Sequence, residues 1–283
     1  MQKEVHMGLL TKDDGWRISD KWWEQIEPLL PARKPHPLGC HNPPVPNRSA
    51  MDAILFVLRT GMQWNALDGT GICSCSSSYR RFREWTDAGV FANLWRIGLL
   101  RYDGTQGIDW DWLAMDGAMT KAPLAGTQMT GRNPTDRGKQ GVKRSLLTEG
   151  AGIPLAVTME GANRHDMKLV QSTLDAVMAE RPAPTEDKPQ GLCLDKGYDF
   201  DEVREIVKEF GFTAHIRARG EEAQAIKKEA GFKARRWVVE RTHSWMNRFR
   251  RILVRWEKLP ETFLAMLHLA CAIITWRATG LLK

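Results

Sequence analysis

Apolar residues in the first hundred positions recur at helical spacing, and the period then changes. Behind Ser19 as N-cap, Trp22, Trp23, Ile26, Leu29 and Leu30 lie on one face of a helix predicted over Asp20–Leu30. Residues 31–46 hold prolines at 31, 35, 37, 43, 44 and 46, so this stretch reads as a loop that no element crosses. Met51, Ile54, Leu55 and Leu58 predict a helix over Asn47–Arg59, with Gly61 as its stop. Two further helices are expected over Ser76–Trp85, with Tyr79, Arg80, Arg81 and Arg83 partly outward, and over Phe91–Leu100.

Past residue 110 the pattern shortens. Trp112–Met115 is an apolar run that meets Asp116-Gly117, a strand ending in a turn dipeptide. Ser145–Thr148 and Ile153–Met159 predict a hairpin through residues 149–152. A helix over His165–Ala179 ends in a segment with prolines at 182, 184 and 189. Leu192–Leu194 is a second apolar strand that runs into an aspartate, Asp195. Helix Phe200–Phe210, strand Phe212–Ile216 and helices Lys233–Arg251 and Pro260–Trp276 complete the chain. The expectation is a helical region over residues 1–108 followed by a mixed α/β (α+β) domain over 109–283.

Composition excludes several classes. At 42% apolar and 27% charged over 283 residues, the chain can bury a core and is neither disordered nor fibrous. Five cysteines, an odd number without zinc-finger spacing around Cys73 and Cys75, read as reduced thiols and favour the cytoplasm. Residues 1–10 lack the apolar run of a signal peptide. Pro260–Ala278 is interrupted by Glu261, His268 and Arg277, so it reads as a buried helix and no membrane role is expected.

The charge is concentrated. Residues 233–258 carry nine basic and two acidic side chains, a net +7 that equals the formal excess of the whole chain. A basic stripe of this density is the footprint of a polyanion partner, and Trp237, Trp245 and Trp256 add rings that can stack on bases. A solvated helix face is the alternative. The short N-terminal helices are compatible with a helix-turn-helix reader of DNA.

Three carboxylates stand out. Asp116 and Asp195 each follow an apolar strand directly, and a carboxylate there either opens a turn in water or sits desolvated, where it needs a partner or a metal. Glu240 is one of two acids in the basic stretch; helical spacing places it with Arg236, His243, Ser244, Asn247 and Arg251, away from Val238, Thr242, Trp245, Phe249 and Ile252. It could equally serve as a salt-bridge partner for Arg236 or Arg241. Together the three fit a two-metal phosphoryl-transfer site, whose hard oxygen ligands suit Mg²⁺ or Mn²⁺.

These residues resemble bacterial insertion-sequence transposases of the IS5 type, within the DDE group. The resemblance runs through Asn47–Leu55 with Arg59-Thr60-Gly61, Tyr79-Arg80-Arg81-Phe82 with Trp85, and Asp116-Gly117. It continues through Arg137-Gly138-Lys139 with Gly141-Val142-Lys143, Gly152–Leu155, Ala162–Asp166 and Asp195-Lys196-Gly197-Tyr198. It ends with Arg236–Thr242 and Arg248-Phe249-Arg250-Arg251. It implies an RNase H-like catalytic core with Asp116, Asp195 and Glu240 as the DDE triad holding two Mg²⁺ or Mn²⁺ ions. It also implies cleavage at the element's terminal inverted repeats, attack of the freed 3′-hydroxyl on target DNA, and a homodimer or larger assembly on DNA. The cations expected to hold DNA are Arg80, Arg81, Lys139, Lys143, Arg236, Arg241, Arg248, Arg250 and Arg251, with Trp237 as the stacking ring; Lys139 and Lys143 could equally flank a hairpin. Two positions depart from the family pattern: Lys233 stands where a tyrosine precedes Arg236 by three, and Asn247 where a cation follows the glutamate by seven. A DNA-binding protein without catalysis and a metal-dependent nuclease that never joins strands are the rival functions.

Overall fold

The computed structural model describes residues 17–32, 45–216 and 237–282. Helix α1 (Asp20–Ile26) begins after Ser19 as expected, but the Ser19 side chain makes no cap bond, and Pro28 turns the last residues into a 3₁₀ turn. Helix α2 (Asn47–Thr60) ends at Gly61, whose φ of +73° lets its N–H reach Val57 O at 2.9 Å. Ser74 caps α3 (Cys75–Asp87) by accepting from the Ser77 N–H, and α4 (Val90–Gln106) follows Gly89. Each of these elements was expected from its apolar spacing, within a few residues at the ends.

The sheet is built from β1 (Trp112–Lys121), β2 (Gly131–Arg132), β3 (Gln140–Thr148), β4 (Pro154–Gly161), β5 (Gly191–Leu194) and β6 (Thr213–Ile216). β3 pairs antiparallel with β1 on one side and with β4 on the other, with the two-residue β2 beside its start. β5 pairs parallel with β1, and β6 parallel with β5. An antiparallel meander whose first strand carries two parallel strands on its other side is the RNase H-like order. Helices α5 (Val170–Asp175) and α6 (Asp201–Glu209) form the connections to the parallel strands. Helices α7 (Trp237–Met246) and α8 (Pro260–Ala278) close the described chain.

β3 is buried from Gly141 to Thr148, because both faces are covered: Ser145 meets Thr173 of α5 at 2.9 Å, and Arg144 meets the chain just after α7. The α5 segment is shorter than expected. A 3₁₀ turn over Asp166–Leu169 precedes it, and the Met178 N–H is drawn to Leu155 O on β4, which ends the helix early.

The segment with the most apolar helical run, α8, is the central helix, buried on nearly all sides between α4 and the sheet. The Trp276 N–H donates to Leu94 O of α4 at 3.0 Å, and the Trp95 N–H to Pro154 O of β4 at 3.1 Å. One continuous core joins the N-terminal helices, the sheet and α8. No helix among the described residues is long and apolar enough to cross a membrane. Gly98 lets the Trp276 side chain of α8 lie close against α4: a Cβ there would meet Trp276 Nε1 at 2.8 Å. Gly98→Ala is therefore expected to cost about 1–3 kcal/mol by overpacking, read from the urea midpoint. An unchanged midpoint would show that the two helices are not packed this way.

Candidate active site

The β1–β5 register aligns Leu113 with Leu192 and Ala114 with Cys193. Continuing it by two residues sets Asp116 beside Asp195, where β5 has just ended. The apolar residues before each aspartate bury the strands and fix both backbones, so the two carboxylates share one sheet edge. The turn expected at Asp116-Gly117 is not formed: β1 continues through both residues to Lys121. Gly117 instead admits a close neighbour from the α5 face, since a Cβ on it would lie 2.1 Å from Asp166 Oδ1. Asp195 starts a 3₁₀ turn, its Oδ1 accepting from the Gly197 N–H at 2.8 Å, while Asp116 Oδ1 accepts from the Gly117 N–H at 2.8 Å. Glu240 projects from the exposed side of α7, which packs across β1 and β3.

Three further carboxylates thus lie near enough to act on Asp116. Burial pushes the Asp116 pKa up to about 6, and the charges of Asp195, Asp166 and Glu240 add to the rise, against the Gly117 N–H, which lowers it. Asp166 belonged to a helix start in the sequence; its Oδ2 accepts from the buried Lys143 Nζ at 2.9 Å, which also donates to Arg164 O at 2.7 Å. Beneath them, Tyr198 is fully buried with no hydrogen-bond partner for its hydroxyl, and burial together with Asp166, Asp116 and Asp195 raises its pKa far above the usual range. Among the described residues no three aspartate, glutamate, histidine or cysteine side chains close on one ion-sized point. The donor chemistry nevertheless fits a hard divalent cation: every donor is a carboxylate oxygen, and Asp166 has the buried Lys143 beside it.

A cavity of about 350 Å³ opens at this edge, lined by Asp116, Glu240, Arg144, His243, Asn247 and Leu253 among others. Asn247, where the family pattern has a cation, accepts from Arg144 Nη2 at 2.7 Å, so a buried guanidinium from β3 stands behind that position. Burial lowers the Arg144 pKa to about 10, which leaves it charged at neutral pH. His243 was expected on the polar side of its helix; it is buried instead, and burial and Arg144 together push its pKa down to about 3, so the ring is neutral. Strand alternation and helical spacing gave no signal for the Arg144–Asn247 pairing, which spans 103 residues.

The expected DNA contacts divide by placement. Arg80, Lys139, Arg248 and Arg250 are exposed, as is Trp237 at 50%. Arg81 pairs with Glu84 on its own helix. Arg241 is held between Trp237 and Trp245, 4.5 and 4.8 Å from their ring centroids, and donates to Ala151 O. Trp245 is half-buried and packs against the core. Lys143 and Arg251 do not face solvent: Lys143 serves Asp166, and Arg251 is buried against Glu257 at 2.7 Å. Their basic neighbours in sequence suggested a common surface, but a sheet covered on both faces and a tight turn after α7 draw these two inward. Arg255 of the basic stretch is also buried, donating to the carbonyls of Gln128, Met129, Glu257 and Lys258. Arg236 lies outside the described residues.

Two family profiles match the chain. Residues 18–95 match "Putative transposase of IS4/5 family" and residues 192–277 match "Transposase DDE domain". A "Putative transposase for insertion sequence element IS402" of Burkholderia cepacia is 35% identical over 154 residues, 53% of this chain and 70% of that protein. An "Insertion element IS402 uncharacterized 16.2 kDa protein" of the same organism is 39% identical over 121 residues, 41% of this chain and 80% of that one. Among solved structures, the Mos1 mariner paired end complex with Mn overlaps at a TM-score of 0.28 and 12% identity, over 92% of this chain and 86% of that one. An overlap that slight carries no argument.

Proposed function

This chain belongs to the IS4/5 family of transposases, and from that premise we propose how its own residues carry out DNA transposition. Asp116, Asp195 and Glu240 hold the divalent cations, with Asp166 as a neighbouring carboxylate. Mg²⁺ or Mn²⁺, in a pair, supplies the Lewis acidity for in-line displacement at phosphorus when bound. Water attacks the phosphodiester at each end of the element and releases a 3′-hydroxyl. That hydroxyl then attacks a phosphodiester of the target, forming one bond and breaking another, so the backbone is exchanged without outside energy. The helical region over residues 1–108 takes the terminal repeats, and two copies pair the two ends. The observation that carries this reading is the register that sets Asp116 of β1 beside Asp195, the residue just after the parallel strand β5, with the Glu240 charge felt at Asp116.

The exposed cations Arg80, Lys139, Arg248 and Arg250, with Arg241 and Trp237 on α7, are the surface we assign to the DNA backbone. The test is incubation of end-labelled duplex carrying the element's ends with Mg²⁺. Cleavage followed by joined product is the expected result. Cleavage that never yields joined product would make the protein a nuclease, and binding without cleavage would make it a DNA-binding protein alone.

Arg251 offers a contrast. Removing one partner of a buried ion pair leaves the other charge uncompensated, so Arg251→Met is expected to cost about 3 kcal/mol in urea unfolding. The slope of DNA affinity against salt is expected to stay as in wild type. A variant of unchanged stability with a shallower slope would place Arg251 on the DNA.

A further inference from the structure

Beside α7, away from the carboxylates, a second cavity of about 310 Å³ is bounded by Ile153, Trp245, Arg248, Ile274, Arg277 and Ala278. It falls at the small end of ligand-sized pockets, roughly 300–1,000 Å³. Its lining combines aliphatic side chains, one indole and two guanidinium groups, the last on exposed residues. Among the described residues neither Arg248 nor Arg277 has a carboxylate partner. Two like charges brought together without a counter-ion repel each other, and the Arg248 charge, after partial burial, lowers the pKa of Arg277. Arg241 already occupies one face of Trp245, which continues the Trp237–Arg241–Trp245 ladder along α7 as far as the cavity.

A pocket lined by aliphatic side chains, one indole and two guanidinium groups without a carboxylate partner among the described residues suits a planar base attached to a phosphate. We propose that this cavity binds one unpaired nucleotide of the DNA strand that α7 contacts, with the base against Trp245 and its phosphate between Arg248 and Arg277. Arg277 comes from α8 and lies outside the basic stretch, so the C-terminal helix contributes to DNA recognition. The inference rests on the DNA reading above and adds to it a site for unstacked DNA.

The experiment uses the full chain and two duplexes that differ only in one unpaired 2-aminopurine, a base whose fluorescence is quenched when it stacks. Wild-type protein is expected to quench the unpaired base and to bind that duplex about tenfold more tightly than the fully paired one. Ala278→Phe, which fills the slot, is expected to remove both the quenching and the preference while keeping paired-duplex affinity. Arg277→Ala, an exposed change that leaves the core intact, is expected to lower the salt slope for the unpaired duplex by about 0.9. Wild-type protein that binds both duplexes equally without quenching would overturn the nucleotide site and leave the DNA reading standing. Quenching that persists in Ala278→Phe would also overturn it. Failure of wild-type protein to bind either duplex would remove the DNA reading itself, and the site with it.

Discussion

Asp116→Asn is expected to abolish strand cleavage and, in the same protein, to raise its melting temperature. The two effects have one cause. The Asp116 carboxyl has an ordinary value of 3.8 and is pushed up to about 6 in the fold, chiefly by burial. A group whose folded pKa is raised binds its proton more tightly in the native state, so stability falls as pH rises from 3.8 to about 6 and stays lower above it. That gap corresponds to about 3 kcal/mol at neutral pH, an upper figure for a carboxylate that water partly reaches. Asparagine keeps an oxygen to accept from the Gly117 N–H and carries no charge. In chelator at pH 7.5, the variant is therefore expected to melt on the order of 5 °C higher. Cleavage is expected to fall by at least about 10³-fold, because the neutral amide neither holds a cation well nor stabilises the displacement. Affinity for the element's ends is expected to stay within about twofold, since Asp116 is not one of the cations assigned to the DNA backbone.

Scanning calorimetry across pH 4–8 and a gel cleavage assay check both halves. A variant that melts at or below wild type would mean that Asp116 is not desolvated at the sheet edge. A variant that still cuts would remove Asp116 from the metal site. Asp195→Ala and Glu240→Ala are expected to share the loss of cleavage. Added Mg²⁺ is expected to reverse the order of stability. Cation binding stabilises the state that holds it, and wild type holds it better.

Local pattern carried the helices of the N-terminal region, where the apolar spacing of α2 and Gly61 as its stop specify the same extent. It also carried the two aspartates, because an apolar run that stops at a carboxylate is visible in the chain. Local pattern could not supply what distant segments bring together. The dipeptide Asp116-Gly117 has the composition of a turn, yet here the glycine is required by Asp166 approaching from another element. Lys143 and Arg144 are adjacent on β3, so they point to opposite faces; one finds Asp166 and the other Asn247, 23 and 103 residues away. A strand with cations on both faces looks exposed until the sheet is known to be covered on both sides. His243 misled for a related reason: its spacing matches Glu240, but α7 lies low enough on β1 and β3 to bury it.

The same sandwich makes Gly117→Ala the second large effect. A Cβ would sit 2.1 Å from Asp166 Oδ1 and 3.7 Å from Lys143 Cδ. The carboxylate cannot move away freely, because its other oxygen is bonded to a lysine whose side chain is only 7% exposed. Either β1 shifts, which displaces Asp116, or Asp166 leaves Lys143, which strands a buried ammonium beside Arg164 O. Breaking a buried pair costs about 3–5 kcal/mol, and Asp166 is partly solvated, so the low end applies. A loss of about 3 kcal/mol in urea unfolding and a severe loss of cleavage are expected. If the clash is the cause, the cost depends on the carboxylate. Asp166→Gly should pay for the lost pair once, and Gly117→Ala added to it should then cost far less than it does in the wild-type background. A double-mutant cycle that is additive within about 0.5 kcal/mol would show that residues 117 and 166 do not touch, and the carboxylate cluster around Asp116 would lose its fourth member.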